Sequence, residues 1–232
     1  MYLKPLVIGA SVLLLAACGA EAPTSEATPE PAELNAPLPE IGGPRLRILA
    51  FGDSLFAGYD LAEDEGYPEQ LQAVLRGRGI NAQVIDAGVS GDTTQAGAQR
   101  IGFVLDNIKG DPPELAIVEL GGNDLLRQIP PAQTRANLTA ILTELRERNI
   151  PVLLMGMRAP PNLGPQFQTE FDELYPALAE QFDAALVPFF LESVYDKPEL
   201  ILPDRVHPTA DGIEAIVAAT VDQVVAALPK PE

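Results

Sequence analysis

Two places in the sequence combine residue types that acyl transfer requires. In RLRILAFGDSLFAGYD, residues 45–60, an apolar run ends abruptly on Gly52, Asp53 and Ser54. In PDRVHPTADG the chain's one histidine, His207, follows Asp204 by three residues. A serine on a turn after a strand can serve as a nucleophile, although Asp and Ser are also common helix N-caps. A carboxylate three positions before an imidazole on a turn can reach Nδ1, fix the tautomer and stabilise the imidazolium. Ser54 would attack, His207 would take its proton and return it to the leaving group, and Asp204 would hold His207. The developing oxyanion needs donors, and the backbone N–H groups of Ser54 and Gly88 and the Asn123 side-chain amide are the candidates. Removing one such donor typically costs about 10²–10³ in rate. Gly88, without a Cβ, would let the backbone come close to the charge. Asp204 and His207 are also metal-ligand types, but no second histidine and no free cysteine accompany them. A zinc site normally has more nitrogen or sulfur ligands, so neither a metal nor another cofactor is expected.

Such residues act only if elements bring them together. Apolar runs predict strands at Leu46–Phe51, Gln83–Ala87, Leu115–Leu120, Val152–Met155 and Ala185–Val187. Helical patterns fall between and after them, at about Pro68–Arg78, Thr94–Asn107, Thr134–Arg148, Gln168–Phe182 and Thr209–Leu228. Nearly all-apolar strands alternating with helices argue for a parallel sheet covered on both faces. The expected fold is a three-layer, doubly wound α/β sandwich with a five-stranded, mostly parallel sheet. Ligands of such sheets bind outside the carboxyl ends of the strands. Those ends carry Gly52-Asp53-Ser54, Gly88-Val89-Ser90-Gly91-Asp92, Gly121-Gly122-Asn123-Asp124 and Arg158-Ala159-Pro160-Pro161-Asn162. Asp53 and Asp124 read as structural acceptors, and Ser90 and Thr93 as helix caps.

The ends of the chain and its charge bound the rest. MYLKPLVIGASVLLLAAC pairs a basic start with an apolar stretch too short to span a bilayer, and Leu15-Ala16-Ala17-Cys18 resembles a lipobox. The expectation is a signal peptide over residues 1–17, lipidation of Cys18 and a bacterial envelope protein anchored through that lipid, facing the periplasm from the outer membrane, or else exported. Residues 18–44, rich in Pro and Glu, read as a disordered tether, and residues 45–232 as the folded domain. The formal charge of −18 repels phosphates and makes nucleic acid a poor partner. The expected partners are a small-molecule ester and the membrane at the lipid anchor.

FGDSLFAGY, DAGVSGDTT, VELGGND and PDRVHP resemble, in order, the four signature blocks of the SGNH (GDSL) hydrolase superfamily. GDTTQAG, LGGNDLLR, LLMGMRAPPNLG and PFFLESVYDKPEL are similar to its bacterial arylesterase, acyl-thioesterase and lysophospholipase branch. The resemblance implies Ser54 as nucleophile, Gly88 and Asn123 in the oxyanion hole, and Asp204 with His207 completing the triad. It also implies that the Arg158–Gly164 loop shapes an acyl pocket. Arg158, Pro161, Asn162 and Leu163 are then substrate-binding candidates, joined by Leu125 and Phe167, which read equally as plain core. Phe56 departs from the small polar residue often found there and is expected to alter the pocket floor. Arg205 replaces a small residue and reads as a solvated side chain. The implied activity is hydrolysis of short-chain or aryl carboxylic esters through an acyl-enzyme on Ser54. Lysophospholipase or thioesterase activity, a carbohydrate O-deacetylase and a catalytically silent binding lipoprotein are the alternatives.

Overall fold

The computed structural model describes residues 41–229. The expected signal peptide, Cys18 and most of the tether lie outside the described residues. Five strands form one sheet: β1 Leu46–Gly52, β2 Ala82–Gly88, β3 Leu115–Glu119, β4 Val152–Met155 and β5 Ala185–Val187. Their order is β2-β1-β3-β4-β5, and every pairing is parallel. Ile48–Phe51 of β1 and Leu115–Val118 of β3 are fully buried, as central strands covered on both faces must be.

The helices are α1 Tyr67–Gly77, α2 Thr94–Asn107, α3 Gly122–Leu126, α4 Pro131–Glu147, α5 Pro165–Asp172, α6 Leu174–Phe182 and α7 Ala210–Ala227. Helix α1 packs against α7, while α4 packs against α2, α5 and α6. None of the helices among the described residues is long and apolar enough to cross a membrane.

Local chemistry sets the boundaries. Thr93 caps α2 by accepting the Ala96 N–H at 3.3 Å, and Thr209 caps α7 by accepting that of Gly212 at 3.1 Å. Ser90 is exposed and makes no such cap, contrary to its expected role. Helix α4 begins three residues before the expected Thr134, because Pro131 fits a first turn where its missing N–H costs nothing. The single helix expected over Gln168–Phe182 is two, α5 and α6, meeting at Glu173. Pro176 cannot donate to the carbonyl of residue 172, so one continuous helix would lose a bond there.

The register aligns the strand ends. Gly88, Gly52, Glu119, Met155 and Val187 stand side by side across the sheet. Chain order reverses between β1 and β3, the place where open α/β sheets form a crevice. Ser54 leaves β1 and Asn123 follows β3 on the two sides of that crevice.

Candidate active site

The turn after β1 is built by Asp53. Its Oδ1 accepts the Leu55 N–H at 3.0 Å, and its carbonyl accepts those of Phe56 and Ala57 at 3.3 and 3.0 Å. This holds Ser54 on a tight turn with its hydroxyl facing the last loop. Phe56 does not form a pocket floor. It is fully buried, stacked on Tyr67 at 5.0 Å and edge-on to Phe190 at 5.7 Å, so its bulk fills core beneath the turn.

His207 comes to Ser54 from the loop before α7. That loop is closed by a bridge between Ile201 and Pro208 and by the Leu202 N–H donating to the His207 carbonyl at 2.7 Å. Ser54 Oγ lies 2.8 Å from His207 Nε2, and His207 Nδ1 lies 2.6 Å from Asp204 Oδ2. The other oxygen of Asp204 accepts the N–H groups of Val206 and His207 at 2.9 and 3.0 Å. Desolvation acts to raise the Asp204 pKa. The ring of His207 and these two backbone donors outweigh it and bring the group down to about 2. Asp204 is therefore ionised at ordinary pH, and its Oδ2 can accept Nδ1–H from His207, which leaves Nε2 to face the Ser54 hydroxyl. Arg205, between the two, is exposed and adopts a left-handed φ of 62°.

A residue the sequence reading passed over lies against the base. The Tyr59 ring stacks on His207 with centroids 4.2 Å apart and an interplanar angle of 24°. Its signal was visible only as an aromatic five residues after the nucleophile.

The three candidate oxyanion donors differ in state. The Ser54 N–H meets no acceptor among the described residues. Asn123 Nδ2 donates one hydrogen to Asp53 Oδ2 at 3.0 Å, which orients the amide and leaves its second hydrogen available. The Gly88 N–H is taken: it donates to Asp86 Oδ1 at 2.7 Å. Burial raises the Asp86 carboxyl pKa, while the Gly88 bond and the Arg100 cation counter it. The glycine is also required sterically. A Cβ on Gly88 would fall 2.4 Å from the Ala57 nitrogen, so it makes room for the nucleophile turn.

Asp86 would thus compete with an oxyanion for the Gly88 donor. Asp86→Asn keeps the acceptor and removes the charge. It should raise kcat/KM on p-nitrophenyl butyrate roughly 3–10-fold, the effect of about 1 kcal/mol of relieved like-charge repulsion near the surface. A fall in kcat/KM would mean that the charge is needed to hold the Gly88 turn.

Asp124 is the anchor it was expected to be. Fully buried, it accepts the Thr94 N–H at 2.8 Å, the Thr94 hydroxyl at 2.5 Å and the Thr134 hydroxyl at 3.0 Å. It ties the start of α2 and the first turn of α4 to α3, which carries Asn123.

The substrate-binding candidates are dispersed. A shallow depression at Ser54 and His207 is walled by Leu55, Gly58, Tyr59, Leu61, Pro208 and Ile213. None of Leu125, Arg158, Pro161, Asn162, Leu163 and Phe167 lines it. Pro161–Leu163 form a single 3₁₀ turn, with Pro161 and Asn162 exposed. Arg158 lies over the Phe189 ring at 5.2 Å, 3.4 Å from Glu192. Leu125 packs against the core, and so does Phe167, which also stacks on Phe171 at 6.1 Å. Among the described residues, no group of three or more His, Cys, Asp or Glu is arranged to hold a metal.

A parallel five-stranded α/β sandwich with a serine–histidine–aspartate relay at the crevice of its sheet defines a class of hydrolase. The profile of the GDSL-like lipase/acylhydrolase family matches residues 50–215, and the chain belongs to that family. It is 40% identical over 164 residues to the thioesterase 1/protease 1/lysophospholipase L1 of Escherichia coli K12, covering 71% of this chain and 76% of that one. To the arylesterase of Vibrio mimicus it is 38% identical over 162 residues, covering 70% and 80%. The solved structure of AlinE4, an SGNH-hydrolase family esterase, matches with a TM-score of 0.69 and 63% identity over 82% of this chain and all of that one.

Proposed function

We propose that this protein hydrolyses short-chain or aryl carboxylic esters through an acyl-enzyme on Ser54. The observation that carries the reading is the unbroken relay from Ser54 Oγ to His207 Nε2 and from Nδ1 to Asp204, at 2.8 and 2.6 Å. His207 takes the Ser54 proton as Oγ bonds to the ester carbonyl carbon. The resulting oxyanion is met by the Ser54 N–H and the Asn123 amide, joined by Gly88 once Asp86 releases it. Collapse expels the alcohol, which leaves with the proton from His207. A water then repeats the attack on the acyl-enzyme and frees the acid. The relatives named arylesterase and thioesterase 1/protease 1/lysophospholipase L1 support ester chemistry on this scaffold.

The depression beside Ser54 and His207 encloses almost no free space, which supports small acyl groups. The full chain should therefore show its highest kcat/KM on p-nitrophenyl acetate or butyrate, with a steep fall towards palmitate. Ser54→Ala should abolish the signal throughout. A palmitate optimum would instead put lysophospholipids first among substrates. Lipidation of Cys18 and attachment to the cell envelope complete the proposal, with small esters outside the cytoplasm as substrates. The sequence supports this through the small residues before Cys18.

A further inference from the structure

Behind the nucleophile turn lies a second acid that the relay does not use. Glu119, the last residue of β3, is fully buried, and Asp53 beside it is nearly so. The space it occupies is provided by Gly52: a Cβ there would fall 2.9 Å from Glu119 Oε2 and 2.8 Å from the Glu119 carbonyl oxygen. Oε2 accepts the Asp53 N–H at 3.3 Å, whereas Oε1 is buried and meets no donor. Asp53, by contrast, is well supplied, with the Leu55 N–H on Oδ1 and the Asn123 amide on Oδ2, each at 3.0 Å.

We propose that Glu119 is a positioning residue that stays protonated and donates to Asp53, so that this carboxyl pair holds the Asn123 amide in place for the oxyanion. Two adjacent buried carboxylates cannot both ionise without a cation between them. The charge settles on Asp53, which has the donors, and the proton on Glu119, whose bare Oε1 could not carry charge. Electrostatics agree: burial, then the Asp53 charge, holds the Glu119 pKa well above the usual carboxylate range. Burial raises Asp53 as well, against the pull of Leu55, Asn123, Glu119 and His207.

Among the described residues no basic group acts on Glu119; the Arg100 guanidinium of α2 is engaged by the Gly52 carbonyl at 3.0 Å. Tyr175 of α6 donates its hydroxyl to the Leu120 carbonyl at 2.9 Å and is pushed upward chiefly by burial. His207, from the last loop, is the basic group that acts on Asp53. Ionising Glu119 would thus set a second negative charge against Asp53 and loosen the hydrogen bond that aims Asn123. The role rests on the acyl-transfer reading of the Ser54 site.

The sign of the linkage gives a test independent of turnover. A carboxyl whose folded pKa is raised contributes stability that is present below the unfolded value, near 4.3, and lost as pH rises through the folded one. Glu119→Gln keeps a neutral donor at every pH. Urea unfolding of the full chain from pH 5 to 10 should show the wild type losing stability with pH more steeply than E119Q. On p-nitrophenyl butyrate, the wild type should lose kcat as pH rises into the alkaline range, while E119Q should keep kcat within about threefold at pH 7 and lack that fall. Glu119→Ala, which removes the donor, should lower kcat at least 30-fold with KM little changed. Equal stability slopes for wild type and E119Q, or an E119Q as slow as E119A, would overturn the proposal. A wild type with no Ser54-dependent turnover would overturn it together with the acyl-transfer reading. Failure of Glu119 alone is told apart because the wild type is then active.

Discussion

Ser54→Ala and His207→Ala should each lower kcat on p-nitrophenyl butyrate by at least about 10³-fold, and the double variant should be no worse than either single one. The reason is that the two side chains form one device. Without His207 the Ser54 hydroxyl keeps its proton and is a weak nucleophile, and without Ser54 the imidazole has nothing to deprotonate in line with the carbonyl. Neither change should disturb the fold. The Ser54 hydroxyl makes its one side-chain bond to His207, and His207 sits on a loop closed by backbone bonds of its own. The double variant decides the matter: losses that multiply would mean that the two residues act separately.

Asn123→Ala carries the second large effect, a loss of roughly 10²–10³ in kcat with KM little changed. Its amide makes one bond to Asp53 at 3.0 Å, which spends one hydrogen on orientation and leaves the other for the charge that develops in the transition state. The Asp53 bond would be lost too, but Leu55 still supplies a donor to that carboxylate, so the turn should stay in place. Asn123→Asp has the same shape and no donor, and should be as slow as the alanine variant. A raised KM with unchanged kcat would instead make Asn123 a ground-state binding residue. With the Gly88 N–H donating to Asp86, more of the oxyanion's stabilisation rests on Asn123 and Ser54, which places the expected loss towards the upper end.

The strands were legible because parallel strands covered on both faces are nearly all apolar, and runs as short as ILAF and LAIV favour a strand over a buried helix. The triad was legible for a related reason: its members end strands or precede a helix, where little competes with chemistry for the choice of residue. Boundaries decided by a single proline, at Pro131 and Pro176, were not. Helix α3 was not either, since its five residues are too few to show a period. Side-chain partners lay further out of reach. DAG reads as a strand end, and nothing in it says that Asp86 turns back onto Gly88. Glu119 did carry a signal, a charge closing the fully buried strand LAIVE, and its meaning emerged only once Asp53 was seen beside it. The loop candidates around Arg158 came from resemblance, and the structure puts other side chains around the serine.

If Ser54 becomes covalently acylated, the mass of the intact full chain after reaction with diethyl p-nitrophenyl phosphate will show it. One equivalent of p-nitrophenolate should be released per chain, with one diethylphosphoryl adduct formed. That adduct should map to the peptide containing Ser54, be absent from Ser54→Ala and form far more slowly in His207→Ala. An adduct on any other residue, or full esterase turnover in a chain whose Ser54 stays unmodified, would contradict acylation at Ser54.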